Sequence, residues 1–115
     1  MNKEKTIKKN HHFKWIIKKG KKSNKKTVRV CITHNKDNKN KLGIAIRKNI
    51  KSAVFRNRVK RVIREIYRLE ENKLKKHFNI IICFNTETVN FNEIYIDIKN
   101  AFYDLNMYKE KGYVW

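Results

Sequence analysis

The fold is decided by residues 43–68, which read GIAIRKNIKSAVFRNRVKRVIREIYR. The start of this stretch belongs to an apolar run over 41–47 that is typical of a β-strand. After Ser52, apolar residues recur at i, i+3 and i+4, which indicates an amphipathic helix with one core-facing stripe. Ser52 is a candidate N-cap, and a start nearer Asn49 is the alternative. No breaker stops the helix before about residue 76. The stripe comprises Val59, Val62, Ile63, Ile66 and Leu69.

The opposite stripe of this helix is basic, and its charge comes mainly from one residue type. Six of the seven arginines lie between Arg47 and Arg68, whereas the 23 lysines are spread over almost the whole chain. Arginine is a planar fork that grips phosphate with paired hydrogen bonds, while lysine is a hydrated point charge on a flexible stem. The stripe is therefore interpreted as a phosphate-recognition surface, and a plain solvated basic face is the alternative.

Composition points to an anionic partner. The 115 residues are enough for one domain and carry a net charge of +20. Residues 1–76 hold 27 of the 30 basic residues and 5 of the 10 acidic ones, so the basic surface belongs to the first two-thirds of the chain. Nucleic acid is the first candidate partner and a membrane surface the second. No apolar run approaches the roughly 20 residues of a membrane span, and we expect a cytoplasmic protein with reduced Cys31 and Cys83.

Hydrophobic periodicity and turn residues predict the remaining elements. The strands over 27–34 and 41–47 are most simply paired as a hairpin, and the apolar run over 79–85 suits a central strand covered on both faces. The result is an α+β fold, a two-layer α/β sandwich in which residues 10–115 form one domain. In chain order, the predicted elements are a mobile basic arm (1–9), a helix (10–19), a basic loop or short edge strand (21–26), strands (27–34 and 41–47), the basic helix, a strand (79–85) and a packing helix (91–108).

The sequence contains no recognisable catalytic constellation. It has no nucleophile with a neighbouring base, no paired carboxylates, and no His, Cys or Asp cluster with metal-ligand spacing. We therefore predict that the chain has no catalytic residues and no metal-binding residues.

With the basic stripe placed on a helix, residues 43–68 resemble the signature of the bacterial ribonuclease P protein subunit. That signature is a strand with Gly, a basic turn and then AV-x-RNR-x-KR-x-x-RE. The segment KKNHHFKWIIKKG resembles the first helix of the family, NIIICFN resembles the strand after the signature helix, and 91–108 resembles the last helix. The resemblance implies an α/β sandwich whose signature helix joins two parallel strands through a left-handed crossover.

The resemblance also implies a function. The protein would bind a large catalytic RNA, which itself carries most of the Mg²⁺, and the two would remove the 5′ leader from precursor tRNA. No obligate protein partner and no membrane is expected. The implied RNA-binding residues are Arg56, Asn57, Arg58, Lys60, Arg61 and Arg64, with Lys48, Lys51 and Arg68 beside them. The implied leader-cleft residues are Phe13, Ile17, Arg29, Cys31 and Ala45.

The chain departs from the family pattern at three positions, and two other functions compete with this one. Arg29 and Cys31 stand near positions where apolar and aromatic residues are usual, and Lys51 stands where Gly is usual. Weaker leader stacking and stronger phosphate attraction are therefore expected. The first rival is a ribosomal-type RNA-binding protein without a role in cleavage. The second is a helix-turn-helix DNA-binding regulator, which the strands around the basic helix disfavour.

Overall fold

The computed structural model describes residue 7, residues 10–47 and residues 52–109 of the chain. A short 3₁₀ helix, Glu71–Lys73, follows the basic helix. The α+β order is the one expected from the sequence. The elements are α1 (Asn10–Lys19), β1 (Lys21–Asn24), β2 (Val28–His34), β3 (Lys41–Ile46), α2 (Ala53–Glu70), β4 (Phe78–Phe84) and α3 (Phe91–Asp104).

The four strands form one mixed sheet in the order β1-β2-β4-β3. Strands β1 and β2 are antiparallel, as are β2 and β4, whereas β3 and β4 are parallel. The predicted hairpin between 27–34 and 41–47 is therefore wrong, because β4 lies between the two strands. Helix α2 makes the connection between parallel β3 and β4 that the resemblance implies, and the left hand of that connection stays a prediction.

The central position of β4 follows from its side chains. Ile80, Ile82 and Phe84 face the larger of two hydrophobic clusters, which we call the main core. Ile81 faces the opposite side of the sheet, and all four side chains are fully buried. A strand that is apolar on both faces needs cover on both faces and strands on both edges. Helices α2 and α3 cover one face, and α1 covers part of the other, packing Ile16 against Ile81.

Helix α2 starts as predicted and ends earlier than predicted. The Ser52 hydroxyl accepts a hydrogen bond from the Phe55 amide at 3.3 Å, which confirms the N-cap. The helix ends at Glu70 instead of near residue 76, because the chain turns so that Leu74 is buried. Leu69 is half exposed, so its predicted core position is also wrong. A straight helix carries residue 69 away from the stripe and brings Glu70 onto it.

Helix α3 is shorter than the predicted 91–108. The Asn90 side chain caps its start by accepting from the Glu93 amide at 3.1 Å. The helix ends at Asp104, and Asn106 adopts a left-handed conformation with φ 56°. This turn sends Met107 and Tyr108 back into the main core, where both are buried. None of the helices in the described part of the chain combines the length and apolar composition of a membrane span.

The predicted arm over 1–9 is described only at residue 7. Ile7 is buried, and its amide donates to the carbonyl of Leu42 at 3.1 Å. At this residue the chain is therefore held against β3, and the mobility expected of the arm as a whole stays a prediction. The other arm residues lie outside the described part.

Candidate nucleic-acid interface

The outer face of α2 carries a row of polar and basic side chains opposite the core. Asn57, Arg61, Arg64 and Arg68 are exposed, and their spacing places them along one side of the helix. Together with Lys60 and Glu65 they line a shallow, open groove. We call this set of six residues the α2 groove.

The α2 groove is held by a rigid helix. On the other side of α2, Val59, Ile63 and Ile66 are fully buried in the main core. The direction of the basic row is thus fixed by packing before any ligand binds. Its one acid, Glu65, pairs with Arg68 at 3.6 Å. No ion pair between described residues involves Arg61 or Arg64, so these two are the cations best placed for an external phosphate.

The other predicted RNA-binding residues lie apart from the groove. Arg58 is exposed on the flank of α2 that also carries the half-exposed Leu69. Arg56 is half-buried on the other flank, and its Nη1 donates to the carbonyl of Arg47 at 3.4 Å. Arg56 therefore points toward the end of β3. Lys48 and Lys51 lie outside the described residues.

The predicted leader-cleft residues meet on the face of the sheet under α1. Phe13, Ile17 and Ala45 are half-buried around the fully buried Ile16 and Cys31. We call this region the α1 cleft. The apolar residues that the family resemblance implied for the leader cleft thus pack together, and their role in binding a leader stays a prediction.

Phe13 owes its position in the α1 cleft to a glycine on β3. A Cβ atom at Gly43 would lie 2.5 Å from Cζ of Phe13, well inside van der Waals contact. The Phe13 ring therefore lies directly over the Gly43 backbone. Any side chain at residue 43 must push the ring away from β3.

We expect Gly43→Ala to lower the free energy of unfolding by about 1–3 kcal/mol, the usual cost of overpacking. Urea denaturation followed by circular dichroism measures this change. In a Phe13→Ala background the clash partner is gone, so the same substitution should cost much less. An equal cost in both backgrounds would show that the Phe13 contact is not the cause.

Arg29 lies at the rim of the α1 cleft. Its Nε donates to Oδ1 of Asn24 at 2.7 Å, and the strand register places it opposite Cys83. Lys22 on β1 pairs with Cys31 on β2. The Lys22 amine donates to the backbone carbonyls of Lys18 and Gly20 at the end of α1, both at 3.3 Å. The rim is thus both basic and positioned by hydrogen bonds.

The two cysteines of the α1 cleft influence each other. A hydrogen bond from the Cys83 thiol lowers the pKa of Cys31 to about 7, and the nearby Lys22 and Arg29 add to this effect. The pKa of Cys83 is raised by the same hydrogen bond and by burial. Cys31 is therefore the more acidic thiol of the pair, and both cysteines are free as expected.

Lys22 and Asn24 were missed by the sequence analysis. The segment 21–26 was predicted only as a basic loop or a short edge strand. Pairing of β1 with β2 brings Lys22 beside Cys31 and Asn24 beside Arg29. A firm assignment of β1 as a strand, with its register, is the signal that could have found both residues.

A family model described as Ribonuclease P matches residues 1–106. The chain belongs to the ribonuclease P protein family. A ribonuclease P protein component of Clostridium botulinum (strain Langeland) is 35% identical over 112 residues, which is 96% of both chains. A ribonuclease P protein component of Clostridioides difficile is 33% identical over 102 residues, 86% of this chain and 90% of the relative.

Solved ribonuclease P proteins share the fold. The Staphylococcus aureus protein superposes with a TM-score of 0.80 at 26% identity, covering 91% of this chain and 98% of that one. The Thermotoga maritima protein superposes with a TM-score of 0.73, also at 26% identity, covering 83% and 92%. The α+β sandwich and the family resemblance of residues 43–68 are both confirmed by these matches.

Proposed function

We propose that this chain is the protein subunit of ribonuclease P and promotes endonucleolytic removal of the 5′ leader from precursor tRNA. One observation carries the proposal: the row of Arg61, Arg64 and Arg68 on the exposed side of a core-anchored helix in a chain of this family. The family match and the names of the relatives support a role in tRNA processing. The catalytic RNA of ribonuclease P and precursor tRNA are the proposed partners, and the cytoplasm is the proposed location.

The placement of the two candidate surfaces supports binding of two RNA segments at once. Helix α2 packs on one face of the sheet, and α1 packs on the other. The α2 groove can therefore contact phosphates of the catalytic RNA while the α1 cleft holds the single-stranded leader. Phe13 offers the leader an aromatic surface for stacking, and Arg29 offers a cation at the rim.

Charge neutralisation is the proposed physical contribution of the protein. Catalytic RNA and precursor tRNA are both polyanions, so their association costs electrostatic free energy. A protein with a net charge of +20 that binds both RNAs reduces this cost. The described residues include no group of three or more His, Cys, Asp or Glu side chains that could hold a metal ion. Mg²⁺ is proposed to be bound mainly by the RNA subunit, where it would supply charge stabilisation at the cleaved phosphate.

Reconstitution with a bacterial-type catalytic RNA tests this function. At low Mg²⁺, where little other positive charge neutralises the two RNAs, adding the protein should promote cleavage of the 5′ leader. The holoenzyme should also bind precursor tRNA more tightly than mature tRNA, because only the precursor carries a leader for the α1 cleft. Filter binding with both tRNAs measures the difference.

A matched pair of aromatic substitutions sharpens the experiment. Phe13→Ala should reduce the preference for precursor tRNA, since stacking is worth about 1–3 kcal/mol per base. Trp15→Ala is the control, because Trp15 is 52% exposed and lies on the same helix outside the α1 cleft. Equal affinity of the unmodified holoenzyme for the two tRNAs would refute leader binding, and failure to bind catalytic RNA would refute the whole proposal.

A further inference from the structure

A third basic surface lies away from both the α2 groove and the α1 cleft. At the end of the sheet where β2 finishes and β4 begins, the structure has an open cavity of about 490 Å³. Such a volume falls within the roughly 300–1,000 Å³ of small-molecule sites. Its lining includes Lys19, Lys21, Lys75, His34, Phe78 and Leu105. We call it the sheet-end cavity.

Three lysines line the sheet-end cavity: two lie close together in the sequence, and the third comes from a distant part of the chain. Lys19 ends α1, Lys21 begins β1, and Lys75 lies between the 3₁₀ helix and β4. None of the described residues that line the cavity is acidic. Bringing three like charges to one concave surface is unfavourable unless an anion joins them. The arrangement therefore favours a negatively charged ligand.

The same cavity carries a pair of aromatic rings. The rings of His34 and Phe78 pack with their centroids 4.6 Å apart and their planes tilted by 36°. Phe78 packs against the main core, whereas His34 is exposed at the outer side of the pair. Leu105 adds an apolar contact from the end of α3. An aromatic surface beside cations is the combination that binds a base together with its phosphate.

We propose that the sheet-end cavity binds an unpaired nucleotide of an RNA strand. The base stacks on the His34–Phe78 pair, and the lysines contact the adjoining phosphates. This inference goes beyond the proposed function, because the cavity shares no residue with the α2 groove or the α1 cleft. It would give the protein a third RNA contact, at the end of the sheet where α2 finishes.

Adenosine 5′-monophosphate (AMP) is a suitable probe, because it carries one base and one phosphate and needs no partner RNA. Titrated into the full chain at low salt, AMP should shift the amide resonances of Thr33, His34 and Phe78. We expect AMP to bind at these resonances about tenfold more tightly than either adenosine or inorganic phosphate, since each lacks one half of the contact. The proposal is overturned if AMP shifts only α2 resonances, or if phosphate alone binds as tightly as AMP.

Two variants that each remove three lysines distinguish binding at the sheet-end cavity from nonspecific electrostatic attraction of AMP to the protein. The triple variant Lys19→Ala, Lys21→Ala, Lys75→Ala should weaken AMP binding at least about tenfold. The control triple Lys14→Ala, Lys26→Ala, Lys36→Ala removes three exposed lysines outside the cavity and should change it less than about twofold. Equal losses in the two triples would refute the site.

A second variant keeps the test decisive if the lysine triple folds poorly. His34→Ala retains all three lysines and should reduce AMP binding toward that of inorganic phosphate. Unchanged AMP affinity in His34→Ala would refute stacking. None of these AMP titrations uses the catalytic RNA, so their result is independent of the reconstitution experiment. AMP binding at the cavity can be absent while the protein promotes leader cleavage, and AMP can bind while the protein does not promote cleavage.

Discussion

Replacing Arg61 by Ala is expected to weaken association with the catalytic RNA by about 1.5–3 kcal/mol, a loss of roughly 10- to 150-fold. Arg61 is exposed, lies opposite the buried Val59, and has no ion pair with another described residue. Its guanidinium is thus available for charged hydrogen bonds to phosphate. Because the side chain takes no part in the core, the fold should remain intact.

Three companion variants make the Arg61 result interpretable. Arg61→Lys keeps the charge and loses the fork, so it should recover only part of the affinity if paired hydrogen bonds matter. Arg64→Ala, in the same row, should resemble Arg61→Ala. Lys36→Ala removes a charge from an exposed loop and should have a small effect. A loss at Arg61 no larger than that at Lys36 would mean that the α2 groove is only a solvated basic face.

The salt dependence of RNA affinity provides a second measurement on the same variants. Each phosphate contact contributes about −0.7 to −0.9 to the slope of log affinity against log salt. Arg61→Ala should make the slope shallower by about one contact, as measured by titrations at several salt concentrations. An unchanged slope would indicate that Arg61 does not contact phosphate.

The α2 groove could be predicted from the sequence because its geometry is local. Asn57, Arg61 and Arg64 lie on one helix, and helical periodicity alone brings their side chains to one side. The burial of Val28, Val30 and Ile32 on one face of β2 is likewise local, because alternation along a strand fixes it. In both cases the deciding interactions involve residues a few positions apart.

Strand pairing could not be predicted in the same way. The hairpin between 27–34 and 41–47 was the simplest local solution, yet β4 from 78–84 separates the two strands. That outcome depends on a competition between pairings far apart in sequence. Strand β4, apolar on both faces, gains most by taking the central position, and β1 supplies the hairpin partner that β2 needs. Local periodicity contains no information on such a competition.

Glu70 shows the same limit at the level of one side chain. Its position in the sequence, near the end of the basic helix, gives no sign of its contacts. In the structure it is fully buried and accepts hydrogen bonds from the hydroxyls of Tyr95 and Tyr108, both at 2.8 Å. Lys73 donates to the same carboxylate at 3.3 Å. The tyrosines lie 25 and 38 residues away, beyond any helical spacing.

The Glu70 cluster joins three parts of the main core. Glu70 ends α2, Tyr95 belongs to α3, and Tyr108 belongs to the segment after α3. Burial raises the pKa of Tyr95 to about 12 and raises that of Tyr108 as well, and the Glu70 carboxylate adds to both effects. Both hydroxyls therefore remain protonated donors at neutral pH, so the carboxylate is satisfied on both oxygens.

Glu70→Leu is expected to lower the free energy of unfolding by about 3–5 kcal/mol, as removal of one partner from a buried charged cluster does. The buried Tyr108 hydroxyl would lose its acceptor and could not reach water. This loss is large beside the roughly 5–15 kcal/mol that stabilises a typical domain. Urea denaturation measures it, with the exposed Glu87→Ala as a control that should cost less than about 0.5 kcal/mol.

A second substitution identifies the cause of the Glu70 effect. Tyr108→Phe removes the stranded hydroxyl, so it should be destabilising in the native background and neutral or stabilising in the Glu70→Leu background. Glu70→Gln keeps an acceptor oxygen and should cost less than Glu70→Leu. If Tyr108→Phe were equally costly in both backgrounds, the hydroxyl–carboxylate contact would not be what stabilises this end of α2. The defect would then have to come from the altered packing of residue 70 alone.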